Sequence, residues 1–459
     1  MYLDGRTPFD SASENNRECA VFGYAVDVIN GESDNLAEKM LNFGSSIDEI
    51  ITYEKRLGGK YLILYREGNE CYALGDATCS IPIFYSVGLK NFVCTSNSEY
   101  IVKSYNLNYD NEPLKIRRSS DISQAMPFDV TPYKEIKQLI PNHYLSFSQE
   151  KAIRAVISRE KHKNITVEQA TDIVLPMIEN ITRFYEKHFK LYCPITSGRD
   201  SRVVLAFLKS NSDKPVLSYT IKHKEFKENE QDLIIPKKIA KVFPMHYEQI
   251  KVEQPDVLLK KQIDEIVGAN KYSQRTLTIA NTLYKRYNDG AILNGDIIGQ
   301  VGKCSLHRDI PRFFATPGYF RCKLHNYSKG AKKQLKYWLD EIKKSGEKVN
   351  TFDLFSIENR MGRWASQENL IYNTIGQIYL NIFNSKSIIY IWTAVKRSER
   401  KKSKLHIALI EKKDSILLTV PFKDENVFIK CAKANGVFYL ISSYIKYYAD
   451  RIKFYKRGY

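Results

Sequence analysis

The chain has 459 residues, 43% apolar and 12% aromatic, with a net charge of +18. A chain this long suits two or three domains better than one core, and the composition excludes a disordered or fibrous protein. The basic residues are densest at "VKRSERKKSK" (395–404) and "RIKFYKRGY" (451–459), but they do not interleave with aromatics as a nucleic-acid stacking platform would.

The opening "MYLDGRTPFD" lacks the basic-then-apolar pattern of a secretory signal, and no run approaches the roughly 20 apolar residues of a membrane span. The eight cysteines (19, 71, 79, 94, 193, 304, 322, 431) form no C-x-x-C pair. A disulfide scaffold or zinc ribbon is therefore not expected, and a reducing, cytoplasmic setting is. Residues 1 to about 150 read as sheet. The runs "KYLILY" (60–65), "CYALGD" (71–76), "IPIFYS" (81–86), "NFVCTS" (91–96) and "HYLSFS" (143–148) are short, rich in β-branched and aromatic residues, and separated by turn formers. The polar stretch 149–164 reads as a linker.

Beyond it the period becomes helical. "TVEQATDIVLPMIENITRFYEKH" sets Val167, Ala170, Ile173, Val174, Met177, Ile178, Ile181, Phe184 and Tyr185 on one face. Thr166 and Gln169 have capping-box spacing, and Pro176 predicts a kink. Strand-like and helical segments then alternate: "LYCPIT", a helix over 202–210, "PVLSYTI" (215–221), a helix over 232–243 and "GAILNGD" (290–296). Such alternation predicts a parallel sheet with crossover helices. Residues 305–459 read as mainly helical.

At "LYCPITSGRDSRVVLAFLK" (191–209) two apolar elements meet at a cluster of polar groups. Ligands in open parallel sheets bind outside the carboxyl ends of the strands, and a helix start there favours an anion. Thr196, Ser197 and Ser201 add hydroxyls, Arg199 or Arg202 can neutralise phosphate, and the carboxylate of Asp200 suits an accompanying Mg²⁺. The loop reads as built for a metal–polyphosphate, although it is not a Walker A loop. The alternative is a tight strand–helix turn with a capping Asp or Ser. Pro194, in what should be a central strand, predicts irregular geometry.

"TSGRDSR" resembles the S-G-G-x-D-S pyrophosphate loop of the ATP-pyrophosphatase superfamily, and Arg202 is typical of its asparagine synthetase-like branch. The resemblance extends to "LGGKYLILY", "GDATCSIPIFYS", "CTSNSEYIV" and "IKQLIPNHYLSF" in the first part. In the second it includes "DLFSIENRMGRW" (353–364), "NIFNSKSIIYIWTAVKRSER" (381–400) and "LLTVPF" (417–422). It implies an α/β fold: an α/β/β/α glutaminase-like (Ntn-type) sandwich over 1–155, then a parallel-sheet adenine-nucleotide-binding domain over 156–459 with a helical C-terminal part. It also implies ATP-dependent adenylation of a carboxylate, release of pyrophosphate and attack by an amine. Thr196, Ser197, Gly198, Arg199, Asp200, Ser201, Arg202 and Gly295 would bind ATP, and Asp200 its Mg²⁺. Asp296, Gln300 and Lys303 would be the catalytic candidates.

Three departures qualify it. Ser197 stands where the family has glycine, a strained placement if φ is positive there. Gln300 matches the family's glutamate in "NGDIIGQVGK" (294–303), and an amide is no general base. Cys19 is the one cysteine placed to suggest a glutaminase nucleophile, but such a cysteine acts as the mature N-terminus. Residues 23–36 are too short to hold the glutamine-binding loops, so Cys19 reads as a buried strand cysteine and the domain as degenerate.

Arg360 and Arg363 share a face at helical spacing and could clamp an anion or pair with Glu358 or Glu368. Asp232 reads as an N-cap or first-turn acid. The expected partners are small-molecule or peptide carboxylates and amines, with nucleic acid not expected and a homodimer left open. Two rival readings are a tRNA-modifying ATP pyrophosphatase and a non-catalytic relative with a degenerate loop.

Overall fold

The structure, a computed structural model, describes residues 7–110, 126–158, 164–208, 216–223, 230–268, 273–304, 311–324, 326, 328–423 and scattered positions between 441 and 452. Cys431 and the basic end 453–459 lie outside the described residues.

The first half is built on the two-residue period of "KYLILY". Strand β3 (Leu57–Glu67) turns Tyr61, Ile63 and Tyr65 toward helices α1 (Leu36–Phe43) and α2 (Ile47–Glu54). Its alternate residues Leu62 and Leu64 face a second sheet. The first sheet is antiparallel, ordered β1-β2-β3-β4-β8-β9, with β1 Phe9–Glu14, β2 Arg17–Asp27, β4 Glu70–Gly75, β8 His143–Ser146 and β9 Lys151–Arg154. The second is ordered β6-β5-β7, with β5 Phe84–Ser86, β6 Cys94–Thr95 and β7 Ile136–Gln138. Helix α3 (Ser98–Tyr105) covers its far face through Ile101 against Phe84 and Ile136. The layers therefore run helix, sheet, sheet, helix. The expected linker is in part structured, because β9 pairs with β8 across a turn in which Glu150 takes φ 48°.

The second half holds a five-stranded sheet ordered β12-β11-β10-β13-β14, every pair parallel. Its strands are β10 Leu191–Pro194, β11 Val216–Lys222, β12 Met245–Lys251, β13 Ala291–Leu293 and β14 Ile378–Leu380. Pro194 sits in the central strand without breaking it. Ile195 N–H donates to Tyr219 on β11, so the Pro194 nitrogen faces the β13 side, where pairing has already ended at Tyr192. The helix Val167–His188 runs unbroken through Pro176, and its capping box forms as the spacing predicts. Beyond residue 311 the described chain is mostly helical, except for β14.

The two halves share buried polar contacts. Arg154 of β9 pairs with Glu358, which also accepts from Asn142 and Trp338. Lys60 of β3 donates to Asn369, Asn373 and the Tyr379 carbonyl. Gly362 packs against Pro141, where an added Cβ would lie 2.1 Å from the ring.

Candidate functional site

The order β12-β11-β10-β13-β14 reverses between β10 and β13. A crevice opens at such a switch point, outside the carboxyl ends of the strands. The loop from Thr196 leaves β10 there, and the loop from Asn294 leaves β13. Two glycines let them touch. A Cβ on Gly295 would lie 3.1 Å from the Asp200 carbonyl oxygen, and one on Gly299 would lie 2.6 Å from Asp200 Oδ2. Both motifs found in the sequence therefore meet at Asp200.

Within the first loop, Thr196 N–H donates to Ser201 Oγ at 3.1 Å and Gly198 N–H to Thr196 Oγ1 at 3.2 Å. Ser197 does not take a positive φ, so the strain expected of it is absent. Its N–H and hydroxyl both donate to Asp232 Oδ1, which places that first-turn acid of the helix Gln231–Ile239 under the loop. Thr196 is exposed, and the loop opens the helix Asp200–Phe207, whose first-turn N–H groups lack intrahelical partners.

Asp200 accepts from His406 Nε2 at 2.8 Å. Burial works to raise its pKa, but the hydrogen bond and charge of His406, with Lys303 and Arg199, hold it below the ordinary carboxylate range. Asp296 behaves oppositely. Burial pushes it up to about 6 against the pull of Arg360, with the Asp200 charge assisting. An Asx turn sets its position: Asn294 Oδ1 accepts from Asp296 N–H and from Asn381 Nδ2 at 2.5 Å. Asp296 borders a small polar cavity that also takes in Lys60, Thr78, Ser80, Glu368 and Asn384, so the antiparallel half lines one wall. Burial lowers the Lys60 ammonium to about 8, although Asp76 opposes this.

Several expectations need correction. Arg202 does not face a phosphate. It is fully buried, and its guanidinium donates to the carbonyls of Leu417, Val420 and Pro421, with the Phe422 ring 4.0 Å below it. It clasps the closing segment, and Arg199 lies over the same ring at 4.5 Å. Arg360 and Arg363 are not a pair on one face, because residues 356–365 form a π-helix. Its wider i→i+5 turn does not bring a residue three positions on back to the same side. Arg360 faces Asp296 and stacks on Trp364 at 3.9 Å, whereas Arg363 is buried elsewhere. Glu358 pairs with Arg154 rather than with either.

Gln300 and Lys303 lie in and just after the π-helical turn Ile298–Gly302. The charge of Lys303 reaches Asp200, whereas among the described residues no hydrogen bond joins Gln300 to the loop 196–201. Cys19 is buried in β2, and burial, with Asp10, pushes its thiol up to about 12. The sequence reading missed His406, Lys60 and Lys423. Lys423 bridges Glu230 at 2.9 Å, and its N–H donates to the Ser197 carbonyl. His406 does carry a signal, since it is the polar member of the buried stripe Leu405, His406, Leu409, Ile410.

The loop fits a phosphate with its cation in part. Hydroxyls of Thr196 and Ser201, the first-turn N–H groups and Asp200 Oδ2, beside the space that Gly299 leaves, could hold them. Among the described residues no group of three His, Cys, Asp or Glu side chains could hold a metal by itself, and no helix is long and apolar enough to cross a membrane.

No protein-family model matches the chain, and no curated protein matches it. Among solved structures it is similar to the glutamine phosphoribosylpyrophosphate amidotransferase of B. subtilis complexed with ADP and GMP. The identity is 14%, over 55% of this chain and 51% of that one, with a TM-score of 0.18. The chain thus spans about half the length of that amidotransferase, and the likeness is a loose one that carries no argument about activity.

Proposed function

We propose that the chain is an ATP-dependent carbon–nitrogen ligase of the asparagine synthetase-like kind, activating a carboxylate as an acyl-adenylate with release of pyrophosphate. The observation that carries this reading is the meeting of the 196–201 loop and Gly295–Asp296 at the switch point. There a carboxylate held ionised lies beside one with a pKa of about 6. ATP with Mg²⁺, when bound, supplies the activating electrophile. Thr196, Ser201 and the first-turn N–H groups would hold its phosphates, and Asp200, oriented by His406, the cation. Asp296 is poised to take a proton from the attacking amine near neutral pH, and Arg360 keeps it accessible to ionisation.

The antiparallel half serves as a degenerate glutaminase-like domain, since the Cys19 thiol is buried, protonated and within a strand. Ammonia or an amine is then the nitrogen source. The acceptor is an amino acid, a peptide or a sugar-linked carboxylate. Incubation with ATP, Mg²⁺, a carboxylate panel and either ammonia or glutamine, with pyrophosphate as the readout, tests the reading. Release with ammonia and none with glutamine is expected; no release with any pair overturns it.

A second reading, a nucleotide-binding relative without turnover, is favoured by the engagement of Ser197 with Asp232 and of Arg202 with the closing segment. It requires calorimetric binding of ATP·Mg²⁺ with no pyrophosphate formed.

A further inference from the structure

A second cavity, of 240 Å³, lies away from the switch point and between the two halves. Its size approaches the lower end of small-molecule sites, which run from about 300 Å³. The walls are mostly apolar. Ile51 of α2, Ile157, Ile357, Ile389 and Tyr390 line it, and Ala155 lies at its side.

Two ammonium groups border these apolar walls, Lys55 and Lys386. They are not equivalent. Lys386 pairs with the buried Glu54 at 2.6 Å. Among the described residues no carboxylate pairs with Lys55. Its other acidic neighbour, Glu347, accepts from the backbone N–H groups of Ile157, Ser158, Lys348 and Val349 and makes no ion pair with it. Burial and the charge of Lys386 lower the Lys55 ammonium, with Glu54 and Glu347 only partly offsetting them. The Lys55 backbone is pinned as well, because its carbonyl accepts from Ser387 Oγ at 2.7 Å. A half-buried cation without an ion-paired carboxylate among the described residues, beside a mostly apolar chamber, is an arrangement that a matching anion would stabilise.

We propose that this cavity binds a small apolar monoanion, an aliphatic or aryl carboxylate, with its carboxylate on Lys55 and its tail among Ile51, Ile157, Ile357, Ile389 and Tyr390. The site draws residues from both halves, so a bound carboxylate would also tie them together. It stands apart from the nucleotide reading and does not depend on it.

The test uses octanoate, octanol and octylamine as probes, titrated calorimetrically into the full chain. Octanoate should bind at one site, octanol more weakly, and octylamine not at all. Lys55→Gln should weaken octanoate about tenfold or more while leaving octanol unchanged, the loss expected for one charge-assisted hydrogen bond. Ala155→Phe, which fills the chamber, should abolish binding of both, with thermal melts confirming that each variant is folded. Equal binding of octanoate and octylamine, undiminished octanoate binding by folded Lys55→Gln, or no octanoate binding by the unaltered chain would each overturn the proposal.

Discussion

Asp200 and Asp296 lie on touching loops and are driven in opposite directions. Asp200 is held ionised by His406, so its negative charge is available at any working pH. Asp200→Asn should therefore weaken ATP·Mg²⁺ binding tenfold or more, about 1.4 kcal/mol, by calorimetry; equal affinities would remove the loop from a nucleotide site. For Asp296 the folded pKa is raised, from an ordinary value near 3.8 to about 6. The native state thus favours the protonated form. Its contribution to stability is full below about pH 4 and is lost as the pH rises through 6. An ionised Asp296 then costs roughly 2–3 kcal/mol at pH 8. Asp296→Asn should raise stability in urea denaturation at pH 8 and change it little at pH 4, whereas pyrophosphate release should fall in the same variant. A gain in stability joined to a loss of turnover is what a functional carboxylate produces.

Among the elements, the helix Asp200–Phe207 and the segment 417–423 form one unit through Arg202. Arg202→Met keeps the bulk but leaves the buried carbonyls of Leu417 and Val420, and the part-buried one of Pro421, without their donor. A loss of about 2–4 kcal/mol in urea denaturation is expected, with faster amide exchange at the backbone N–H groups of 417–420. Unchanged exchange there would mean that the segment is held by other contacts. This clasp also marks the boundary of what the sequence discloses. Features that follow from sequence neighbours were legible: the capping box at Thr166, the alternation of β3 and the turn at Gly295, and the two loops singled out at 196–201 and 294–303 do meet at Asp200. Arg202 and His406 were not, because their partners lie more than 200 positions away in the chain. β12 and β14 escaped for a related reason. β12 is largely half-buried and polar, and β14 has three residues among helices, so neither imposes a period. The π-helix at 356–365 misled the pairing of Arg360 with Arg363, since the spacing presumed an α turn.

Across the whole molecule, the halves are joined by an ion pair with no exposure to water on the Glu358 side. Removing one partner of a buried pair costs about 3–5 kcal/mol where it strands the other charge; Arg154 keeps Glu341 at 3.0 Å, so the lower end of that range is expected. Glu358→Ala should lower the melting temperature; an unchanged one would show that the Lys60 contacts and the packing of Gly362 on Pro141 hold the halves without this pair. The net charge of +18 makes a separate prediction. Labelled tRNA should bind only at low salt and be released without selectivity near about 150 mM, as expected of unspecific counterion release. Salt-resistant, selective binding would favour a tRNA-modifying enzyme.

The reach of Arg202 and Lys423 across the chain bears on how the protein is made. About 220 residues separate Asp200 from Lys423, which at ~5–20 residues per second takes roughly 11–44 s to translate. During that interval the antiparallel sheets, whose partners all lie before residue 155, can complete themselves on the ribosome. The 196–201 loop cannot, for its clasp, the His406 contact to Asp200 and the Lys423 bridge are all still unsynthesised. A nascent chain therefore carries completed antiparallel sheets before the 196–201 loop has its contacts, which form only once residues 406–423 have emerged.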